Sequence, residues 1–197
     1  MRRVVIALLT GVRWAPPGVA LKEFRAALAE DLVDLLATLA QADAAIAATG
    51  ADRALADTVA WPGMRVYELA AVTPRAALAA AAADGYDQAA VLAADAPDLP
   101  GMLVGKLLQP LTTRPLALAP VTGGPGLLGV AARLPLPDWL PELDLDAADP
   151  VALRRGAPKP TAVAITPGWH RLRGPADLAR LDPGLEGWDA TRALLGG

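Results

Sequence analysis

The chain has 197 residues, a net charge of -3, no cysteine and an aromatic fraction of 4%. That length suits one domain able to bury about two-thirds of the surface its unfolded chain would expose, so no disulfide or metal staple is required. Without cysteine there are no thiol nucleophiles, thiolate metal sites or disulfides, which fits a reducing cytoplasm, the expected location; the charge and the few aromatics argue against a nucleic-acid partner.

Arg3 to Leu9 reads as a buried first strand, because its apolar run is too short for a signal peptide and leads into Arg13, Trp14 and two prolines. From Val19 a helical period takes over, with Leu21, Phe24, Leu28, Leu32, Leu35, Leu36 and Leu39 spaced by threes and fours. Ala42 to Thr49 and Met64 to Leu69 read as the next two strands, the latter entered through a Trp61-Pro62-Gly63 turn. Thr73 is a candidate N-cap with Pro74 at the first helical position, and the alanine-rich helix it opens stops near Asp84-Gly85.

Gln88 to Ala94 forms a strand, Pro100 opens a helix reaching about Leu111, and Arg114 to Val121 and Leu127 to Leu134 make two more strands. The uncharged stretch from Pro115 to Ala132 has the length of a membrane span, but its prolines and glycines break it into strand, loop and strand, so no span is expected. Further on, the spacing predicts a strand over Thr161 to Thr166 and short helices over Pro175 to Leu181 and Gly187 to Leu195. Strands alternating with helices predict an α/β fold, a three-layer sandwich with a mostly parallel central sheet.

The stretch Val91-Leu92-Ala93-Ala94-Asp95-Ala96-Pro97-Asp98-Leu99-Pro100 is an apolar strand that stops on two carboxylates and restarts as a helix. In open α/β sheets ligands sit beyond the carboxyl ends of the strands, and magnesium binds through one or two carboxylates plus substrate phosphates. Asp95 and Asp98 are therefore candidate catalytic acids, with Asp95 a candidate metal ligand. The alternative is structural: Asp98 caps the following helix and Asp95 accepts backbone N–H groups of the turn.

Gly123-Gly124-Pro125-Gly126 offers either close approach to a phosphate or a tight hairpin or crossover loop; it lacks the Lys-Ser/Thr tail of a P-loop. Asp144-Leu145-Asp146 is an Asp-x-Asp without a strong strand before it, and His170 is the only histidine, too few for a typical zinc site. Charge is unevenly placed: Asp138, Glu142, Asp144, Asp146 and Asp149 fall in one stretch, and Arg154, Arg155, Lys159, Arg171 and Arg173 in the next. These are either two solvated faces or part of an anion site.

The Asp95-Ala96-Pro97-Asp98-Leu99-Pro100 string resembles the DxPDLP signature of bacterial GT-A-like nucleotide-diphospho-sugar transferases, a group related to phospholactate guanylyltransferases and molybdenum-cofactor nucleotidyltransferases. The likeness extends over nearly the whole chain. It implies a nucleotide- or nucleotide-sugar-dependent transferase (glycosyl or nucleotidyl transfer) with a small acceptor, with Asp95 and Asp98 at the site and Mg2+ or Mn2+ at Asp95. Relatives hold phosphates with a Pro-Gly-x-Val-Lys-Thr-Arg-Leu loop; here Pro17, Gly18 and Val19 remain while the basic positions are thinned to Arg13, Lys22 and Arg25.

A later family string resembles Gly123 to Gly129, with Thr122 in place of its leading acid, and Arg171-Leu172-Arg173 stands where relatives carry Asp-x-Asp. Arginine in place of aspartate repels a cation by about as much as the acid attracts it, roughly 4 kcal/mol at 4 Å and an effective dielectric near 20. The resemblance therefore implies two outcomes: Arg171 and Arg173 replace the metal as phosphate ligands, or the chain is a non-catalytic member that binds a ligand or protein partner through the inherited cleft.

Overall fold

The computed structural model describes residues 1–196. Seven strands, β1 (Arg3–Leu8), β2 (Asp43–Ala48), β3 (Arg65–Glu68), β4 (Gln88–Ala93), β5 (Leu116–Pro120), β6 (Leu127–Arg133) and β7 (Val163–Ile165), form one sheet in the order β3-β2-β1-β4-β6-β5-β7. All neighbours are parallel except β6, which runs antiparallel to both β4 and β5. The loop holding Gly123 to Gly126 is thus a hairpin connection, with Gly123 and Gly126 at φ values of +71° and +92° that L side chains rarely adopt.

The strands are apolar on both faces because helices cover both. On one side Val5, Ala7 and Ile46 pack beneath α1 (Leu21–Ala37), α2 (Arg53–Val59) and α4 (Gly101–Leu108), meeting Leu32, Val33, Val59 and Leu107. On the other, Val4, Ile6, Leu8 and Val91 meet Ala77, Leu78 and Ala81 of α3 (Pro74–Ala83) and Leu140, Leu143 and Leu145 of the following irregular segment. The expected three-layer α/β sandwich is the observed architecture. Thr73 caps α3 as expected, its hydroxyl accepting from the Ala76 amide at 3.2 Å.

Two helices escaped the periodicity, α2 and α5 (Pro150–Gly156). Only Ala56 and Val59 of α2 are buried and no residue of α5 is, so neither writes an apolar stripe long enough to read. Elsewhere the ends are shorter than expected: the strand predicted over 161–166 is confined to β7, the helix predicted over 175–181 is a 3-10 turn, Pro175–Arg180, and the last helix, α6, covers Asp189–Leu194. Among the described residues no helix is long and apolar enough to cross a membrane.

Asp31 of α1 docks α6. Its carboxylate accepts the Ala190 and Thr191 amides at 2.9 and 2.8 Å, so α6 is capped by a side chain from another helix. Burial pushes the Asp31 pKa up to about 6, against the opposing pull of those hydrogen bonds. The folded state then binds a proton that the unfolded state has lost between about pH 4 and 6, so this group makes stability fall as pH rises through that window. Urea unfolding at several pH values should show that decline for the native chain and a flatter profile for Asp31→Asn.

Candidate functional site at the carboxyl edge of the sheet

The parallel strands β1, β4, β5 and β7 all end at the same edge, and β6 begins there. Asp95 follows directly on β4, and the segment after β7 returns across this edge, held by a bridge between Val121 and Trp169. The Thr122 amide donates to the Trp169 carbonyl at 2.9 Å and the Leu172 amide to the Asp95 carbonyl at 2.7 Å. That strap places Trp169, His170, Arg171, Leu172 and Arg173 against the acidic turn, from a point more than seventy residues away in sequence.

Arg171 grips Asp95 bidentately, Nε to Oδ1 at 2.5 Å and Nη2 to Oδ2 at 2.8 Å, with both side chains almost wholly buried. Its Nη1 donates to the Leu127 and Leu145 carbonyls at 3.2 and 3.3 Å and lies 2.8 Å from Oδ1 of Asp146. Burial opposes the charge on Arg171, but Asp95 and Asp146 outweigh it and raise its pKa above the usual arginine value. The guanidinium is thus fully engaged by protein acceptors.

Asp98 is equally enclosed. Its Oδ1 accepts from the Trp169 indole at 3.1 Å and lies 2.9 Å from His170 Nε2, although that nitrogen has no aligned hydrogen bond. Its Oδ2 accepts from the Asp182 amide at 3.2 Å. Neither structural alternative drawn from sequence describes these acids: the helix after Pro100 has no side-chain cap, and Asp95 is held by a guanidinium rather than by turn amides.

A cleft of about 200 Å³ opens beside Asp95, lined by Gly11, Val12, Arg13, Asp95, Asp146, Leu172 and Arg173. Arg173 is partly exposed, with Nη1 3.5 Å from Oδ1 of Asp146 and Nη2 donating to the Pro125 carbonyl at 3.4 Å. Burial and the neighbouring Arg171 charge lower the Arg173 pKa from its ordinary value. Arg13, on the loop after β1, is exposed at the rim.

The other expected positions lie outside this lining. Gly18 sits at φ +85° in an exposed turn and Lys22 is exposed on the first turn of α1. Arg25 is drawn inward, pairing with Asp52 at 2.6 Å and donating to the Thr10 and Leu9 carbonyls. At Gly123 and Gly124 the loop meets Arg180, whose guanidinium donates to the Thr122 and Gly123 carbonyls, so the hairpin is pinned by an arginine. Sequence reasoning missed Gly11, Val12 and Leu172 in the cleft and Trp169 and Asp182 around Asp98; nothing in their spacing marks them.

A divalent cation does not fit Asp95 and Asp98 in this arrangement. All four carboxylate oxygens already face protein N–H groups, and two guanidinium charges stand beside the one accessible acid, Asp146. Among the described residues no group of three or more acidic or histidine side chains is assembled as a metal site.

No protein-family model matches the chain, and no curated protein matches it. Solved structures do. A candidate nucleotide-diphospho-sugar transferase from Desulfovibrio desulfuricans G20 superposes with a TM-score of 0.64 at 17% identity, covering 99% of this chain and 95% of that one. A 4-diphosphocytidyl-2C-methyl-D-erythritol synthase from Anaerococcus prevotii gives 0.61 at 10% identity, covering 98% and 95%. Glucosyl-3-phosphoglycerate synthase from Mycobacterium tuberculosis, solved with Mn2+, uridine diphosphate and phosphoglyceric acid, gives 0.55 at 15% identity, covering 98% and 76%. The fold is that of nucleotide-diphospho-sugar transferases.

Proposed function

We propose that the chain works as one domain of a nucleotide- or nucleotide-sugar-dependent transferase, with the nucleotide phosphates in the cleft beside Asp95 and a small acceptor alongside. The observation that carries this reading is the position of that cleft, at the carboxyl ends of β1 and β4, where α/β folds bind ligands, with Arg13 and Arg173 presented to it. The solved neighbours that act on nucleotides support it through their fold.

The buried Asp95–Arg171 pair supports a metal-independent site. Arg171 occupies the place that a cation bound by Asp95 would take and orients Asp95, while Arg173 and Arg13 supply the positive charge that meets the phosphates. Among the described residues the cleft lining offers no hydroxyl, thiol or amine nucleophile, and its two carboxylates are already paired with Arg171 and Arg173. Its chemistry is then positioning and stabilisation of charge on a departing phosphate.

The same enclosed acids favour a second reading, a member that binds a ligand or partner without turnover. Sustained transfer from any nucleotide sugar by the purified protein excludes that reading. For the phosphate-binding role, Arg173→Gln should weaken nucleotide binding by about tenfold, as expected for one lost charge-assisted hydrogen bond. Calorimetric titration of nucleoside triphosphates and nucleotide-diphospho-sugars measures it; unchanged affinity would remove Arg173 from the site.

A further inference from the structure

Asp146 is the acid at this site that the transferase reading leaves without a task. Its side chain is 58% exposed, yet Oδ1 reaches both arginines, 2.8 Å from Arg171 Nη1 and 3.5 Å from Arg173 Nη1. It stands on the shared wall of two cavities: the cleft beside Asp95, and a neighbouring one of about 290 Å³ lined by Leu8, Thr10, Thr73, Pro74 and Leu145. The turn that carries it is defined, with the Asp146 amide donating to Asp144 Oδ1 at 2.8 Å and the Ala147 and Ala148 amides to the Asp144 carbonyl.

We propose that Asp146 is an internal counter-anion that holds the anion position of the cleft and gives way when a ligand phosphate arrives. This rests on the reading of the cleft as a phosphate site. The Asp146 carboxylate oxygen stands where a phosphate oxygen would accept from Arg173, the guanidinium that lines the cleft, with the charge of Arg171 behind it. Asp95 cannot play this part, because it is buried and bidentately held, whereas an exposed carboxylate is solvated on release and its pair with the partly exposed Arg173 is weak.

Swinging Asp146 aside would free Nη1 of Arg173 and join the two cavities, so that phosphate and acceptor could lie side by side, while Arg171 Nη1 keeps the Leu127 and Leu145 carbonyls. Asp146 also raises the threshold for adventitious anions, since only a ligand that gains more from the arginines than the carboxylate does can displace it.

The test is calorimetric titration with inorganic pyrophosphate of the full chain and of Asp146→Asn, which preserves shape and the backbone bond to Asp144. Asp138→Asn, an exposed position in the same acidic stretch, serves as the charge-matched control. The variant should bind pyrophosphate roughly tenfold more tightly than the native chain, a screened version of removing a like charge at contact distance, while the control stays at the native value. Adding Arg173→Gln should abolish the gain.

Equal affinity in the native chain and Asp146→Asn overturns the proposal, as does an equal gain in Asp138→Asn, which would reduce the effect to net charge. The two readings separate cleanly. Nucleotide binding by the native chain with no pyrophosphate gain in the variant removes the counter-anion alone; a pyrophosphate gain with no nucleotide bound removes the transferase reading and leaves the counter-anion in place.

Discussion

Replacing Arg171 with methionine is expected to destabilise the protein by about 3–5 kcal/mol, the range for removing one partner of a buried ion pair. The loss has a definite source. Asp95 is 3% exposed and both of its carboxylate oxygens rest on this one guanidinium, so the variant leaves a buried charge with no cation and few donors. The Leu127 and Leu145 carbonyls lose a donor as well, loosening the start of β6 from the acidic turn. Combining Arg171→Met with Asp95→Asn should recover much of the loss, because the unpaired charge is gone. Urea unfolding of the two single variants and the double variant measures this; equal instability of Arg171→Met and the double variant would show that packing rather than charge dominates.

The second large effect is expected at Gly126. A Cβ built there would collide with the Leu145 carbonyl oxygen and lie 2.8 Å from that of Asp146, in a backbone conformation with φ of +92°. Neither oxygen can yield as a flexible side chain would, since both belong to the backbone that positions Asp146. Gly126→Ala should therefore cost about 2–4 kcal/mol, combining left-handed strain with overpacking. It should also shift the segment bearing Asp146 and alter anion affinity in the cleft. Gly124→Ala is the control: its φ is not in the left-handed region and its Cβ would meet only a Val121 side-chain carbon at 3.6 Å. Equal stability of the two variants by thermal unfolding would refute the steric argument.

The sequence is explicit about the sheet because burial on both faces leaves a dense apolar signature, as in Val4-Val5-Ile6 and Gln88 to Ala93. It is silent about α2 and α5 because a short helix with two or no buried positions has no stripe. At the site, the strand end at Asp95 could be placed from local pattern alone. What could not be read is the partnership, since a bidentate pair between residues 76 apart depends on the path of the strap after β7. The Asp-x-Asp at 144–146 is visible in sequence, but its role comes from the arginines that the fold carries to it. At Gly123 and Gly124 the sequence leaves a phosphate loop or a tight hairpin open, and the chain forms the hairpin, pinned by Arg180.

The unequal fates of the acids bear on mechanism. A carboxylate gripped bidentately by a buried guanidinium has its charge already compensated and little attraction left for a metal, whereas an exposed one shared by two arginines can move. On the proposed phosphate-site reading, that difference makes the Asp95–Arg171 pair a fixed frame and Arg173 the adaptable ligand. It also separates effects in experiment: changes at Arg171 should register mainly as stability, and changes at Arg173 mainly as affinity.

The most direct measurement is calorimetric titration of the native chain with nucleoside triphosphates and nucleotide-diphospho-sugars, once with magnesium and once with chelator. A metal-independent cleft predicts that at least one nucleotide binds with the same affinity under both conditions. Binding that appears only with magnesium would contradict the account, because the charge that meets the phosphates would then come from the ion and not from Arg13 and Arg173.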